Sequence, residues 1–252
     1  MKLLPFLRPA ALLATLPAML AFSACNKDDD KPAPAQARVL AVQAAPSANV
    51  QVKVLVDTKN VGQLSYGQNI QNGNYTSVDA GSRMIYVNDA SSNNTIASLK
   101  TTFDQNKSYS IFAYSPTTAL GSADILVTPD DLMVPTAGKA KIRIVNLGVS
   151  LTNPVSLSVL LPQGGTSDIV PMVAFAKASA FTEITPGPYN FAVSTGTGTS
   201  AVVEAMVGDG NGNTAVSRTY EAGKIYTVVL RGVKSSAVAT DLRLKASVIQ
   251  NN

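Results

Sequence analysis

The segment FDQNKSYSIFAY, Phe103 to Tyr114, returns as YEAGKIYTVVLR, Tyr220 to Arg231. Each copy has a polar turn, a Lys-x-Tyr and then a run of β-branched and aromatic residues, the composition of a turn feeding a strand. Three more pairs recur around it in the same order. ARVLAVQ (Ala37 to Gln43) matches AKIRIVN (Ala140 to Asn146), YTSVDAGSRMIYV (Tyr75 to Val87) matches FTEITPGPYNFAV (Phe181 to Val193), and SADILV (Ser122 to Val127) matches ATDLRL (Ala239 to Leu244). The offset grows from 103 to 117 residues, so the second copy is the first with longer loops.

Within the copies the apolar residues alternate. Val52, Val54 and Val56 alternate with Gln51, Lys53 and Leu55; Ile142 and Ile144 with Lys141 and Arg143; Leu242 and Leu244 with Asp241, Arg243 and Lys245. A period of two is the strand signature, and no helical period follows residue 36, so the chain is predicted all-β. PDDLMVPTAG, Pro129 to Gly138, interrupts the rhythm with Pro, Asp and Gly and marks the junction. Units of about 100 residues with short strands at regular spacing predict two tandem immunoglobulin-like β-sandwich domains, although a small β-barrel satisfies the same pattern. The expected boundaries are 1–24 for a leader, 25–37 for a tether, 38–131 and 139–252 for the sandwiches, and 132–138 for the linker.

Composition removes several function classes. The chain has no histidine, which takes away the commonest general base and transition-metal ligand. One cysteine makes no internal disulfide, so stability has to come from packing. Of 20 Lys and Arg, Lys2 and Arg8 fall in the leader, leaving 18 against 16 Asp and Glu with no basic stripe; nucleic acid is not an expected partner.

The leader MKLLPFLRPAALLATLPAMLAFSA has early charges at Lys2 and Arg8, an apolar run of 14 residues from Pro9 to Phe22, and small residues Ser23 and Ala24. That order is a secretory signal, and the run is short for a spanning helix. Phe22-Ser23-Ala24-Cys25 resembles the lipobox of bacterial lipoproteins, with Phe22 where that motif usually has Leu. The resemblance implies lipidation of Cys25 and a membrane partner held through that lipid. Asn26-Lys27-Asp28-Asp29-Asp30-Lys31 resembles the acidic export signal of Bacteroidota-type surface lipoproteins, and it also reads as the solvated start of a tether. Pro32-Ala33-Pro34-Ala35 reads as an extended spacer.

The order ARVLAVQAAPSANVQVKVLVD, an Ala-Gly turn, NKSYSIFAY and SADILVTPDD resembles the 4397 family of domains of unknown function, found in bacterial surface proteins. The resemblance covers most of 37–131 and, more loosely, 139–247, with Lys107 and Tyr109 recurring as Lys224 and Tyr226. It implies a β-sandwich and supplies no reaction, so no catalytic residue carries over.

Chemistry-bearing residues are sparse. The three glutamates, Glu183, Glu204 and Glu221, all lie in the second copy, and Glu183 and Glu204 sit at polar positions of strands, which reads as solvent face rather than a hydrolytic pair. Asp124 and Asp241 occupy matching places in the repeat and are expected to serve the fold by bonding turn amides. In GDGNGNT, Asp209, Asn211 and Asn213 alternate as in the opening of a calcium loop, but the sixth and twelfth positions are Thr214 and Tyr220, and a polar hairpin loop explains every residue. STGTGTS, Ser194 to Ser200, lacks the helix and Lys of a phosphate loop. The eight tyrosines could contact sugars or proteins, yet several fall at matching core-like positions.

These readings predict a protein without catalytic residues or cofactor, lipid-anchored at Cys25 to the outer membrane and exposed on the cell surface, serving as a spacer or contacting a protein or glycan. A carbohydrate-binding accessory of a polysaccharide-uptake system is the alternative, and a hydrolase using acidic side chains the third.

Overall fold

The computed structural model describes residues 34–69, 74–208 and 217–252; the leader, Cys25 and the calcium candidates Asp209, Asn211 and Asn213 lie outside them. The first repeat runs β1 (Gln36–Ala44), β2 (Val52–Val56), β3 (Lys59–Leu64), β4 (Thr76–Asp79), β5 (Gly81–Asp89), β6 (Thr95–Phe103), β7 (Ser108–Tyr114) and β8 (Asp124–Asp130). These form two four-stranded sheets, ordered β4-β1-β7-β8 and β3-β2-β5-β6. Alternate residues of each sheet, among them Val39, Ala41, Val54, Ile85, Val87 and Ile111, meet in one core, as period-two patterning requires.

The second repeat runs β9 (Ala140–Val149), β10 (Val155–Leu160), β11 (Thr166–Val173), β12 (Lys177–Ala178), β13 (Thr182–Ile184), β14 (Gly187–Tyr189), β15 (Phe191–Thr195), β16 (Val202–Gly208), β17 (Arg218–Tyr220), β18 (Ile225–Val233) and β19 (Lys245–Gln250). One sheet, ordered β11-β10-β15-β16-β19-β18-β9-β12, joins its two limbs through a short parallel contact of β16 with β19. Val155, Leu157, Phe191 and Val193 from one limb pack with Ile142, Ile144, Val228 and Leu230 from the other, so the sheet closes over its own core. The parallel pairing of β1 with β7 recurs as β9 with β18, and among the described residues the structure is all-β, with 3-10 turns as its only helical elements.

The fourth repeat segment departs from the sequence alignment. Asp124 begins β8, whereas Thr240–Leu242 form a 3-10 turn and β19 starts only at Lys245. The registers Tyr114↔Asp124 and Arg231↔Lys245 give Lys245, not Asp241, the place of Asp124. The turn shifts the last strand four residues along, so Leu242 does not belong to a strand as the alternation predicted.

A second departure concerns the strand faces. Every residue of β7 and of β18 is buried, on both sides of the sheet. Leu40, Val42, Ala44, Phe112 and Tyr114 of the first repeat meet Val145, Leu147, Val229 and Ile249 of the second in a third apolar cluster. Pro34–Asn252 is accordingly one compact unit in which each repeat covers the other's central sheet. Arg143, which alternates with Ile142 and Ile144, is fully buried in this contact.

Candidate functional site at the junction of the repeats

β8 ends at Asp130, so its last two residues run into the interrupting segment Pro129–Gly138, and β9 carries Arg143 on the face turned to the first repeat. Their side chains are 0% and 1% exposed and form a salt bridge. A buried carboxylate and guanidinium are tolerated only when their remaining hydrogen-bonding positions are filled. Here they are. Asp130 also accepts from Tyr75 Oη at 2.6 Å and Ser110 Oγ at 2.7 Å. Arg143 donates from Nε to Thr227 Oγ1 at 3.0 Å, from Nη1 to the Pro129 carbonyl at 3.1 Å, and from Nη2 to Ser110 Oγ at 3.2 Å. Thr227 Oγ1 donates to Asn251 Oδ1 at 2.7 Å, and Asn251 Nδ2 donates to Tyr75 Oη at 2.9 Å.

The bonds close a ring, Asp130 to Tyr75 to Asn251 to Thr227 to Arg143 and back, that crosses between the repeats. Asn251 sits against Ile225 as Asp130 sits against Ser108, so one position of the repeat supplies two members of the ring. Burial, then the charge of Asp130 and the bond to it, hold the Tyr75 phenol far above its ordinary pKa. The ring of Phe181 lies 4.5 Å from the Arg143 guanidinium carbon and covers it.

Two clefts flank the Pro129–Asp131 corner. One of about 560 Å³ lies between β8 and the 177–181 segment, lined by Leu126, Thr128, Arg143, Lys177, Ser179 and Phe181. The other, about 440 Å³, is lined by Asp104, Lys107, Tyr109, Asp130, Leu132 and Met133. Carboxyl groups gather at the second cleft, but Asp130 is committed to the ring. Asp131 is held below the usual carboxylate range by its bond from Lys141 and the amide of Met133. A general acid needs a raised pKa, and the resolved carboxyl shifts, at Asp89, Asp131 and Glu183, are all downward.

The glutamates stand on three different elements. Glu183, on β13, is exposed as expected and accepts the Thr136 amide at 2.7 Å. Glu204 is not on the solvent face: its side chain is 5% exposed, receiving Thr195 Oγ1 at 2.7 Å and Lys234 Nζ at 2.9 Å. A register shift between Val193 and Ser194, opposite β16, explains this, because an irregular pairing breaks strict alternation. Glu221 is exposed in the turn before β18. Asp124 caps its own strand, accepting the Ile125 amide at 2.7 Å and the Tyr114 hydroxyl at 3.1 Å, while Asp241 is 93% exposed and only 3.7 Å from Lys245. None of the eight tyrosines is exposed; Tyr220 and Tyr226 are core residues in an aromatic cluster with Phe191 and Tyr189. Among the described residues no group of three or more Cys, Asp or Glu is placed to hold a metal.

Sequence reasoning missed the ring. Its available signal was SIFAY and YTVVLR, runs too continuously apolar for a sheet with one wet face.

The family model described as Domain of unknown function (DUF4397) matches residues 37–153, which takes in the whole first repeat and β9. No curated protein matches the chain. Among solved structures, a leucine-rich repeat protein from Bacteroides thetaiotaomicron shares 12% identity over 84% of this chain and 26% of its own, with a TM-score of 0.19. A family 26 carbohydrate-binding module of Eubacterium rectale Amy13K, solved with maltoheptaose, shares 8% identity over 86% of this chain and 97% of its own, with a TM-score of 0.22. Scores this low carry no argument about fold or ligand, and the chain spans about a quarter of the leucine-rich repeat protein.

Proposed function

Because residues 37–153 belong to the DUF4397 family, to which no reaction is attached, we propose that this chain is a non-catalytic, lipid-anchored surface protein whose two sandwiches act as one rigid binding or spacer body. The observation that carries this reading is the closed hydrogen-bond ring at the junction. Every member is spent on another member, so the most elaborate polar cluster described has no group left to transfer a proton or attack a substrate. Its effect is to fix one repeat on the other, which suits a part that must hold a contact surface at a set orientation. The downward carboxyl shifts favour this reading over an acid-dependent hydrolase.

Cys25 anchors the chain through lipid, and the following residues tether the sandwiches to the outer membrane. Replacing Cys25 by Ala should move the protein out of the membrane fraction; unchanged retention refutes the anchor.

The carbohydrate-binding reading has one observation in its favour, the Phe181 ring beside Lys177 and Ser179 in the larger junction cleft, an apolar platform flanked by polar groups. A glycan array probed with residues 34–252 tests it. Saturable binding that Phe181→Ala abolishes supports it, and silence across plant, host and microbial glycans rejects it.

A further inference from the structure

Strands β1, β7, β9 and β18 all begin at one end of the molecule. β1 is parallel to β7 and β9 to β18, and Arg143 and its bonding partners Ser110 and Thr227 all lie near the starts of their strands. Gln36, the first residue of β1, accepts the Asn106 amide at 2.8 Å, so the chain enters the fold at that end.

The linker between the repeats lies at the same end. Leu132 and Met133 share a cleft with Asn106 and Lys107, next to the point of entry. Met133 is 75% and Val134 81% exposed, more than either member of the other consecutive exposed apolar pairs, Leu160–Leu161 and Val202–Val203. They are also held outward. The Met133 amide donates to Asp131 Oδ1 at 3.0 Å, its carbonyl accepts Lys141 Nζ at 3.0 Å, and the Thr136 amide donates to Glu183, while Pro135 between them is buried.

We infer that Met133 and Val134 form a lip that inserts into the surface of the lipid bilayer to which the chain is tethered. The inference rests on the anchor proposed above. From Cys25 to Gln36 is 11 residues, and a fully extended chain covers at most ~3.6 Å per residue, so an anchored Cys25 keeps Gln36, the point of entry at this end, within about 40 Å of itself. Two apolar side chains bind a bilayer weakly by themselves. Tethering makes the contact intramolecular, and the effective concentration of a short tether turns a weak contact into an occupied one. At this end Lys141 is paired with Asp131, Lys139 and Lys141 act on Glu183, and Lys107 and Lys224 share their turns with Asp104 and Glu221, so the lysines stand among carboxylates and insertion rather than charge attraction drives the contact. It is therefore insensitive to salt and to the share of anionic lipid.

The chain has no tryptophan, so a single Trp placed by substitution is a unique reporter. Residues 26–252 carrying Met133→Trp are held on phosphatidylcholine vesicles by an N-terminal His tag and a nickel-chelating lipid, which reproduces the tether without native lipidation. Brominated acyl chains in the vesicles quench only a Trp that enters the bilayer. Leu120→Trp is the control: Leu120 is 96% exposed in the loop after β7, at the opposite end of the strands. The lip predicts strong quenching at 133, little at 120, and the same result at high salt. Equal quenching at both sites, or none at 133, overturns it. Because the tag replaces the native anchor, this outcome is independent of the Cys25→Ala fractionation, which reports on lipidation alone. Both substitutions are at exposed positions, and unchanged circular dichroism confirms the fold.

Discussion

Replacing Arg143 by Leu tests the ring at its most sensitive point. Leucine stands at the matching place of the first repeat, Leu40, so the side chain suits a strand in this contact. The substitution leaves Asp130 at 0% exposure with Tyr75 and Ser110 but no counter-charge. Removing one partner of a buried pair costs about 3–5 kcal/mol, because the remaining charge has neither water nor partner. Asp130→Asn, which strands the Arg143 guanidinium instead, falls in the same range of about 3–5 kcal/mol. The double variant Asp130→Asn/Arg143→Leu removes both charges and places at 130 the amide that the second repeat already uses at Asn251. It should lie within about 1–2 kcal/mol of the parent protein, a coupling of at least about 4 kcal/mol where independent sites would add. Urea unfolding of residues 34–252, followed by far-ultraviolet circular dichroism, gives all four corners of the cycle. An Arg143→Leu protein within about 0.5 kcal/mol of the parent, the range of an ordinary surface change, would refute the claim that the pair is a closed, dry contact. A double variant as unstable as the sum of the singles would refute the coupling.

Tyr75→Phe removes the hydroxyl that joins Asp130 to Asn251 and should cost about 1–3 kcal/mol in the same unfolding assay, since two buried polar groups lose a partner. Gly232→Ala should destabilise by about 2–5 kcal/mol, because φ is +99° and a Cβ would meet the Arg243 carbonyl oxygen at 2.2 Å, whereas Gly138→Ala, at φ +76° in open space, should cost only about 1–2 kcal/mol. In alkali, Tyr75, Tyr109, Tyr114 and Tyr220 are all raised, Tyr114 to about 12 by burial and the charge of Asp124. A raised phenol contributes stability that is complete below its unfolded value of about 10 and is lost as pH climbs toward the folded one. Urea midpoints should therefore hold steady to about pH 10 and fall beyond it; a midpoint that rises from pH 10 to 12 contradicts the assignment.

The repeats were legible because alternation and turn chemistry are local. β1, β7, β9 and β18 were found from their own residues, and their recurrence in pairs followed from matching strings. Where the last strand begins was not legible, since ATDLRL alternates as well as SADILV does; only pairing against β18 shows that a 3-10 turn occupies Thr240–Leu242. The burial of Arg143 was hidden for a related reason. A charged residue alternating with isoleucines reads as facing water, and what covers its face is the sheet of the other repeat, whose Ser110 lies 33 residues away in the chain. Tyr75 and Asn251, 176 residues apart and bonded at 2.9 Å, carry no local mark of their shared role.

The parallel pairing of β1 with β7 has a mechanical side. β1 is the strand by which a tethered chain would be pulled, and it lies alongside β7 over seven paired residues, Arg38 to Ala44 against Ser108 to Tyr114. A load taken at the far loops and resisted at Gln36 draws β1 along its own axis, so those hydrogen bonds are strained together in shear rather than opened one after another. A body built this way keeps its shape under drag up to a sharp yield.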